Sequence, residues 1–210
     1  MLLQDLLLRT KLSPPRLHRR VLHRPDLSAK LREALDYRLT LVQAGTGYGK
    51  TTALATLDTS DALLCWYSVG EADTDPQRFL SYLIAAFSLR LPHLSQAPLA
   101  ALQEASSGAG PATLTLTLDA LVNALDNVLS EPCLLILDDY HFVAGSPQAN
   151  SLVERFITYA PADLHTVLAA RHPFNFSSLV TWRAKGQVLE IGRRELAFRP
   201  LEIETLFRDT

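Results

Sequence analysis

Three glycines, a lysine and two threonines from Gly45 to Thr51 are the densest group of residues able to do chemistry in this chain. Ala44-Gly45-Thr46-Gly47-Tyr48-Gly49-Lys50-Thr51 has the spacing of a phosphate-binding loop, in a relaxed form with Ala44 where the strict pattern has its first glycine. Gly45, Gly47 and Gly49 let successive backbone N–H groups turn inward on an anion. The helix that starts at Lys50-Thr51-Thr52 adds the partial positive charge of its N-terminus. Lys50, expected as an exposed ligand, can reach the β- and γ-phosphates of a nucleotide, and Thr51 offers a hydroxyl to Mg²⁺. A second group closes the apolar run Cys133–Leu137, namely Asp138 and Asp139. The first can orient Mg²⁺ and its waters, and the second can position or activate an attacking water. Standing alone, this pair could equally be a strand that ends in a polar turn.

Both groups need strands to carry them and helices to cover those strands. Leu39–Gln43 reads as the strand before the loop, and a helix is expected from Lys50 to about Asp58. Leu63–Val69 and Leu164–Ala170 read as further buried strands, the second ending in Arg171, and Gln187–Ile191 as a short fifth one. Amphipathic helices are expected from Pro25 to about Tyr37, from Pro76 with Asp75 as its cap, from Leu114 to Leu129, after Ser146-Pro147 and near residues 177–184. Residues 92–112, rich in proline, serine and glycine, read as a loose excursion with one short helix around 99–105. Asp73 and Asp75 sit in an acidic turn, where turn and cap roles compete with metal ligation. Strands alternating with helices give an α/β fold with a mainly parallel sheet covered on both faces.

Composition narrows the function. The net charge of −2 and pI near 6.3 give no electrostatic footprint for nucleic acid. Residues 1–8 are apolar but interrupted by Asp5 and too short for a membrane span. The two cysteines, Cys65 and Cys133, lie in apolar strand-like runs and read as buried reduced thiols, which suits a cytoplasmic protein. Residues 1–24 form a basic, proline-interrupted, extended arm, residues 25–199 the main domain, and residues 200–210 the start of a further, truncated helical segment.

One strand–helix unit lies between the loop and the Asp138 strand, and a strand ending in Arg171 comes after it. This order resembles the P-loop NTPases in which an extra strand is inserted between the two nucleotide-binding strands. The resemblance implies the strand order 5-1-4-3-2 and puts Arg171 near the γ-phosphate, where its fork can tell ATP from ADP. A closer resemblance rests on Thr10-Lys11-Leu12-Ser13-Pro14-Pro15, Arg24-Pro25, Gly47-Tyr48-Gly49-Lys50-Thr51-Thr52, Trp66-Tyr67-Ser68, Asp73-Thr74-Asp75-Pro76, Leu137-Asp138-Asp139-Tyr140-His141 and Leu168-Ala169-Ala170-Arg171. The set is similar to the ATPase module of the MalT-type, large ATP-binding LuxR-family transcription activators, which are signal-transduction ATPases with numerous domains (STAND).

That resemblance implies an ATP/ADP switch with slow Mg²⁺-dependent hydrolysis, self-association in the ATP state, and Arg24 near the adenine. It implies DNA binding only through domains absent from this chain, and no membrane partner. Gln43-Ala44-Gly45-Thr46 departs from the Ala-Pro-Ala run commoner in the family. Two alternatives stay open: a small phosphotransferase (kinase), disfavoured because only Arg78 and Arg90 are basic between Val69 and Asp138, and a non-hydrolysing nucleotide-binding interaction fragment.

Overall fold

The structure, a computed structural model, describes residues 7–17, 21–106 and 111–208. The apolar opening at residues 1–6, the basic residues 18–20 and the glycine-bearing 107–110 lie outside them, as do residues 209–210 and the side chains of Ala105, Ser106, Pro111, Leu206 and Phe207.

In chain order the elements are α1 (Pro25–Arg32), β1 (Leu39–Gln43), α2 (Lys50–Ala55), β2 (Leu63–Ser68), α3 (Pro76–Ser88), α4 (Ala97–Ser106), α5 (Pro111–Val128), β3 (Cys133–Asp138), α6 (Pro147–Tyr159), β4 (Leu164–Ala170), α7 (Leu179–Ala184), β5 (Val188–Ile191), α8 (Arg193–Leu196) and α9 (Pro200–Arg208). All pairings are parallel, and the order β2-β3-β4-β1-β5 is the expected one read from the opposite edge. The chain thus has the α/β architecture of a P-loop NTPase, with β4 inserted between β1 and β3.

Burial on both faces explains the apolar runs. Along β3, Cys133, Leu135 and Leu137 join the core under α3, α5 and α6, whereas Leu134 and Ile136 join the core with α1, α2 and α8. The first core is the larger, with Phe79, Leu83, Phe87, Leu121 and Phe156 interleaved over the sheet. The second holds Leu27, Leu31, Leu54 and Trp66.

Several boundaries differ from the sequence reading for local reasons. Helix α1 tightens into a 3-10 turn over Glu33–Asp36. Helix α2 stops at Ala55, where the Thr56 hydroxyl donates to the carbonyls of Thr52 and Ala53, both at 3.0 Å, and competes with helix propagation. The excursion expected to be loose is mostly helical: Leu99 and Leu102, one turn apart, anchor α4 to the core. Helix α5 begins at Pro111, since proline at the first helical position needs no N–H partner. Within the arm, Arg9–Leu12 is a 3-10 turn, and extended backbone resumes at Ser13.

The acidic turn is structural. The Asp75 side chain accepts the Arg78 N–H at 2.7 Å and caps α3. Asp73 is fully buried, accepts the Gly70 N–H at 2.7 Å, and pairs with Lys11 and Arg78. The two thiols are free and buried, their sulfurs 3.8 Å apart on neighbouring strands. Among the described residues, no helix is long and apolar enough to cross a membrane.

Leu135, wholly buried on the second strand of the sheet, and Leu116, 64% exposed on α5, give a direct test of this layering. Leu135→Ala should cost about 3 kcal/mol in urea unfolding, and Leu116→Ala no more than about 0.5 kcal/mol. Similar losses at the two positions would contradict the assignment of faces.

Candidate functional site

The loop of residues 44–49 leaves the carboxyl end of β1 and turns directly into α2. Its entry is tied to the neighbouring strand, because the Ala44 N–H donates to the Ala170 carbonyl at 3.3 Å. Gly47 (φ +83) and Gly49 (φ +72) occupy the left-handed region, so both need glycine to make the turn. Tyr48 lies between them; its phenol oxygen accepts from Arg193 Nε at 3.1 Å and Nη2 at 2.8 Å, and the Arg193 guanidinium sits 5.4 Å from its ring centroid.

Lys50 is not the exposed side chain that its expected role suggests. It is 7% exposed, because the loop wraps around it and its ammonium donates to the carbonyls of Ala44 at 2.7 Å and Gly45 at 3.0 Å. Three donors on an ammonium leave one for an anion held in the loop. Burial lowers its pKa from the ordinary lysine value; Asp139 and Asp138 oppose that shift and the Arg171 charge adds to it.

Asp138 closes β3 almost completely buried. Burial raises its carboxyl pKa and Asp139 adds to the rise, while the facing Thr51 hydroxyl, the Asp139 N–H at 3.0 Å and Lys50 pull it down. Thr51 and Asp138 therefore meet across the first turn of α2, two oxygen donors of the kind a hard cation takes. Among the described residues no cluster of three or more His, Cys, Asp or Glu could hold a metal by itself.

Asp139 adopts φ 55 and ψ 34, the only positive φ outside glycine among the described residues. Aspartate is among the few non-glycine residues that adopt this region as single residues, its short side chain being able to bond locally. His141, which the sequence reading quoted in a motif without giving it a role, lies beside it. Its Nδ1 is 3.7 Å from Asp139 Oδ1, its ring stacks on Phe142 at 4.4 Å, and neither ring nitrogen has a hydrogen-bond partner among the described residues. Burial, then the Arg171 charge, lower its pKa, which keeps the imidazole neutral at pH 7 with both nitrogens unspent. The one sequence signal for it was position, two residues beyond the second acid.

Arg171 is exposed and comes directly after β4, so the inserted strand delivers it between Asp138 and the loop. Arg24 lies on the other side of α2, on a largely apolar cavity of about 400 Å³ that Gly49, Thr51 and Thr52 also line. Its guanidinium is already engaged: Nε donates to Glu202 at 3.0 Å, Nη1 to the Leu196 carbonyl at 3.0 Å, and Nη2 to the Ala197 carbonyl at 2.8 Å, over the Phe198 ring. Arg24 thus forms cavity wall and clasps the segment after β5. The cavity reaches the end of the glycine loop at Gly49 and the first turn of α2 at Thr51, and an elongated ligand could occupy the loop and the cavity together.

No protein-family profile matches the chain. It is 33% identical over 208 residues to the HTH-type transcriptional regulator MalT of Yersinia enterocolitica, and 34% identical over 214 aligned positions to that of Serratia proteamaculans. Each alignment takes in 96% of this chain and 22% of the relative, so the chain spans about a fifth of the length of these curated relatives. Among solved structures, the Walker-type ATPase PABY2304 of Pyrococcus abyssi superposes with a TM-score of 0.54 at 15% identity, covering 99% of this chain and 61% of that one. The Aeropyrum pernix ORC1 protein, solved in complex with DNA, gives a TM-score of 0.54 at 18% identity over 90% of this chain and 49% of its own. At those identities the two structures speak to the fold alone. The sheet order gives this chain the P-loop NTPase fold, and the sequence identity makes it homologous to the N-terminal region of the MalT regulators.

Proposed function

We propose that the chain is the nucleotide-binding module of a MalT-type transcription regulator, a switch between ADP and ATP states that hydrolyses ATP slowly with Mg²⁺. The observation that carries this reading is the meeting of Thr51 and Asp138 beside an Asp139 held in a left-handed conformation. Mg²⁺ bound there supplies charge neutralisation for the phosphates.

In this reading the loop N–H groups and Lys50 hold the β- and γ-phosphates, and Thr51 and Asp138 hold the cation. Asp139 orients the attacking water and accepts its proton, with the neutral His141 ring beside it. Arg171 pairs with the γ-phosphate and loses that partner in the ADP state, which gives the differential affinity a switch requires. The cavity beside Thr52 receives the adenine. The likeness to MalT supports self-association in the ATP state and DNA binding through other domains. A kinase reading has less support, because Arg78 is committed to Asp73 and α3 rather than to a mobile arginine-bearing lid.

Lys50→Ala should abolish binding of both ATP and ADP in calorimetry while the protein still unfolds cooperatively. Retained affinity would remove the loop from the mechanism.

Asp138 and Asp139 should separate on mutation. Asp138→Asn should lose Mg²⁺-dependent binding, whereas Asp139→Asn should bind normally and release no phosphate. The raised pKa of Asp138 adds a check with a definite sign. A carboxyl whose pKa is higher folded than unfolded costs stability as pH rises through the interval between the two values. Asp138→Asn should therefore be more stable than wild type at pH 7 without ligand, with the advantage shrinking as pH falls through that interval and gone once pH is below the ordinary carboxylate range. Equal loss of ATP binding in both variants would contradict the division of roles.

Arg171→Ala should weaken ATP binding roughly 10- to 150-fold, the equivalent of one charge-assisted contact of ~1.5–3 kcal/mol, and leave ADP binding nearly unchanged. Parallel weakening of the two nucleotides would make Arg171 structural.

A further inference from the structure

At the turn that follows β2, the N-terminal arm carries a buried ion pair. Asp73 is fully buried, and the Lys11 side chain that pairs with it is only 17% exposed. The ammonium also sits 4.4 Å from the Tyr82 ring centroid and 5.3 Å from that of Tyr67. Around it, the Leu8 N–H donates to the Tyr82 hydroxyl at 3.3 Å, the Lys11 N–H to the Leu8 carbonyl at 3.0 Å, and Leu12 is buried in the larger core. The arm is thereby fixed at one point against β2 and the Glu71–Thr74 turn.

Beyond that point the arm is stiff. Ser13 is extended, and Pro14-Pro15 locks two consecutive φ angles, so the anchor at Lys11 and Leu12 dictates where the next residues lie. Of those residues, Pro15 and Leu17 line the cavity together with Thr52 on α2 and Thr56 just after it. The outer wall of the cavity is thus arm, and the arm's position is set at the Asp73 end.

We propose that Lys11, through its buried ion pair with Asp73, is the positioning residue that seats the arm as the outer wall of the base cavity and so determines how strongly a purine base is held. This rests on the reading of that cavity as the base site. Arg78 is the other cation on Asp73, with its Nε 3.1 Å from Oδ1, so loss of Lys11 leaves the carboxylate half-paired rather than bare. The arm is then free to leave while the phosphate loop, tied to β1 and α2, is untouched.

The test is a comparison of Mg-ATP with Mg-tripolyphosphate, which has the phosphates and no base, by calorimetry on the full chain. Wild type should bind ATP the more tightly. In Lys11→Met the ATP dissociation constant should rise roughly 10-fold or more, toward that of tripolyphosphate, while the tripolyphosphate constant stays put. Lys11→Arg should restore most of the difference. If Lys11→Met does not fold, the pair Lys11→Met with Asp73→Asn removes both charges and must show the same collapse. A wild-type ratio of the two constants in a folded variant, or equal weakening of both ligands, would overturn the proposal. A wild type that binds both ligands alike would overturn the base-cavity reading, and this inference with it.

Discussion

Five strands running the same way share one rim at their carboxyl ends, and everything chemical in this protein lies on that rim. Parallel pairing leaves no choice: once β1, β4 and β3 are neighbours, Gln43, Ala170 and Asp138 end side by side. The loop after β1, the arginine after β4 and the two acids after β3 are then brought together by the backbone ladder before any side chain interacts. Crossover connections on both faces supply the helices, and α2, leaving the loop at once, turns its N-terminus to the same place.

Because that rim is partly buried, its charges are perturbed in opposite senses. Burial raises Asp138 and lowers Lys50, each toward its neutral form, and the neighbours of opposite sign only partly compensate. A site organised in this way would gain from a ligand that brings negative charge to Lys50 and a cation to Asp138 together, as in the function proposed above. Asp139 stands apart from this balance. Its backbone is left-handed and the His141 ring lies beside its carboxylate, and in the proposed function these features belong to the acid that orients the water.

The base side is built on another principle. It has little polarity of its own, and its walls come from segments distant in sequence: the arm, α1, α2 and Phe198. Arg24 binds the carbonyls that end α8 and the Glu202 carboxylate of α9, so the last helix is fastened to the same wall. Movement of α9 and the shape of the cavity are therefore not independent.

What the sequence determined was local. Glycine spacing specified the loop, apolar runs of strand length specified a sheet buried on both faces, and Asp75 ahead of Pro76 specified a cap, each through residues adjacent in the chain. The inserted place of β4 was legible from the order of motifs together with family likeness. Tertiary structure decided which groups are spent and which are free. Lys11 meets Asp73 across 62 positions, and Arg24 meets Glu202 across 178. No periodicity encodes such partners, because they depend on the packing of elements that are themselves specified separately. The same holds for His141, whose unspent nitrogens come from burial, and for Lys50, which the folded loop encloses. Residue type and spacing announce what chemistry a side chain can do; burial and long-range neighbours decide whether it is available to do it.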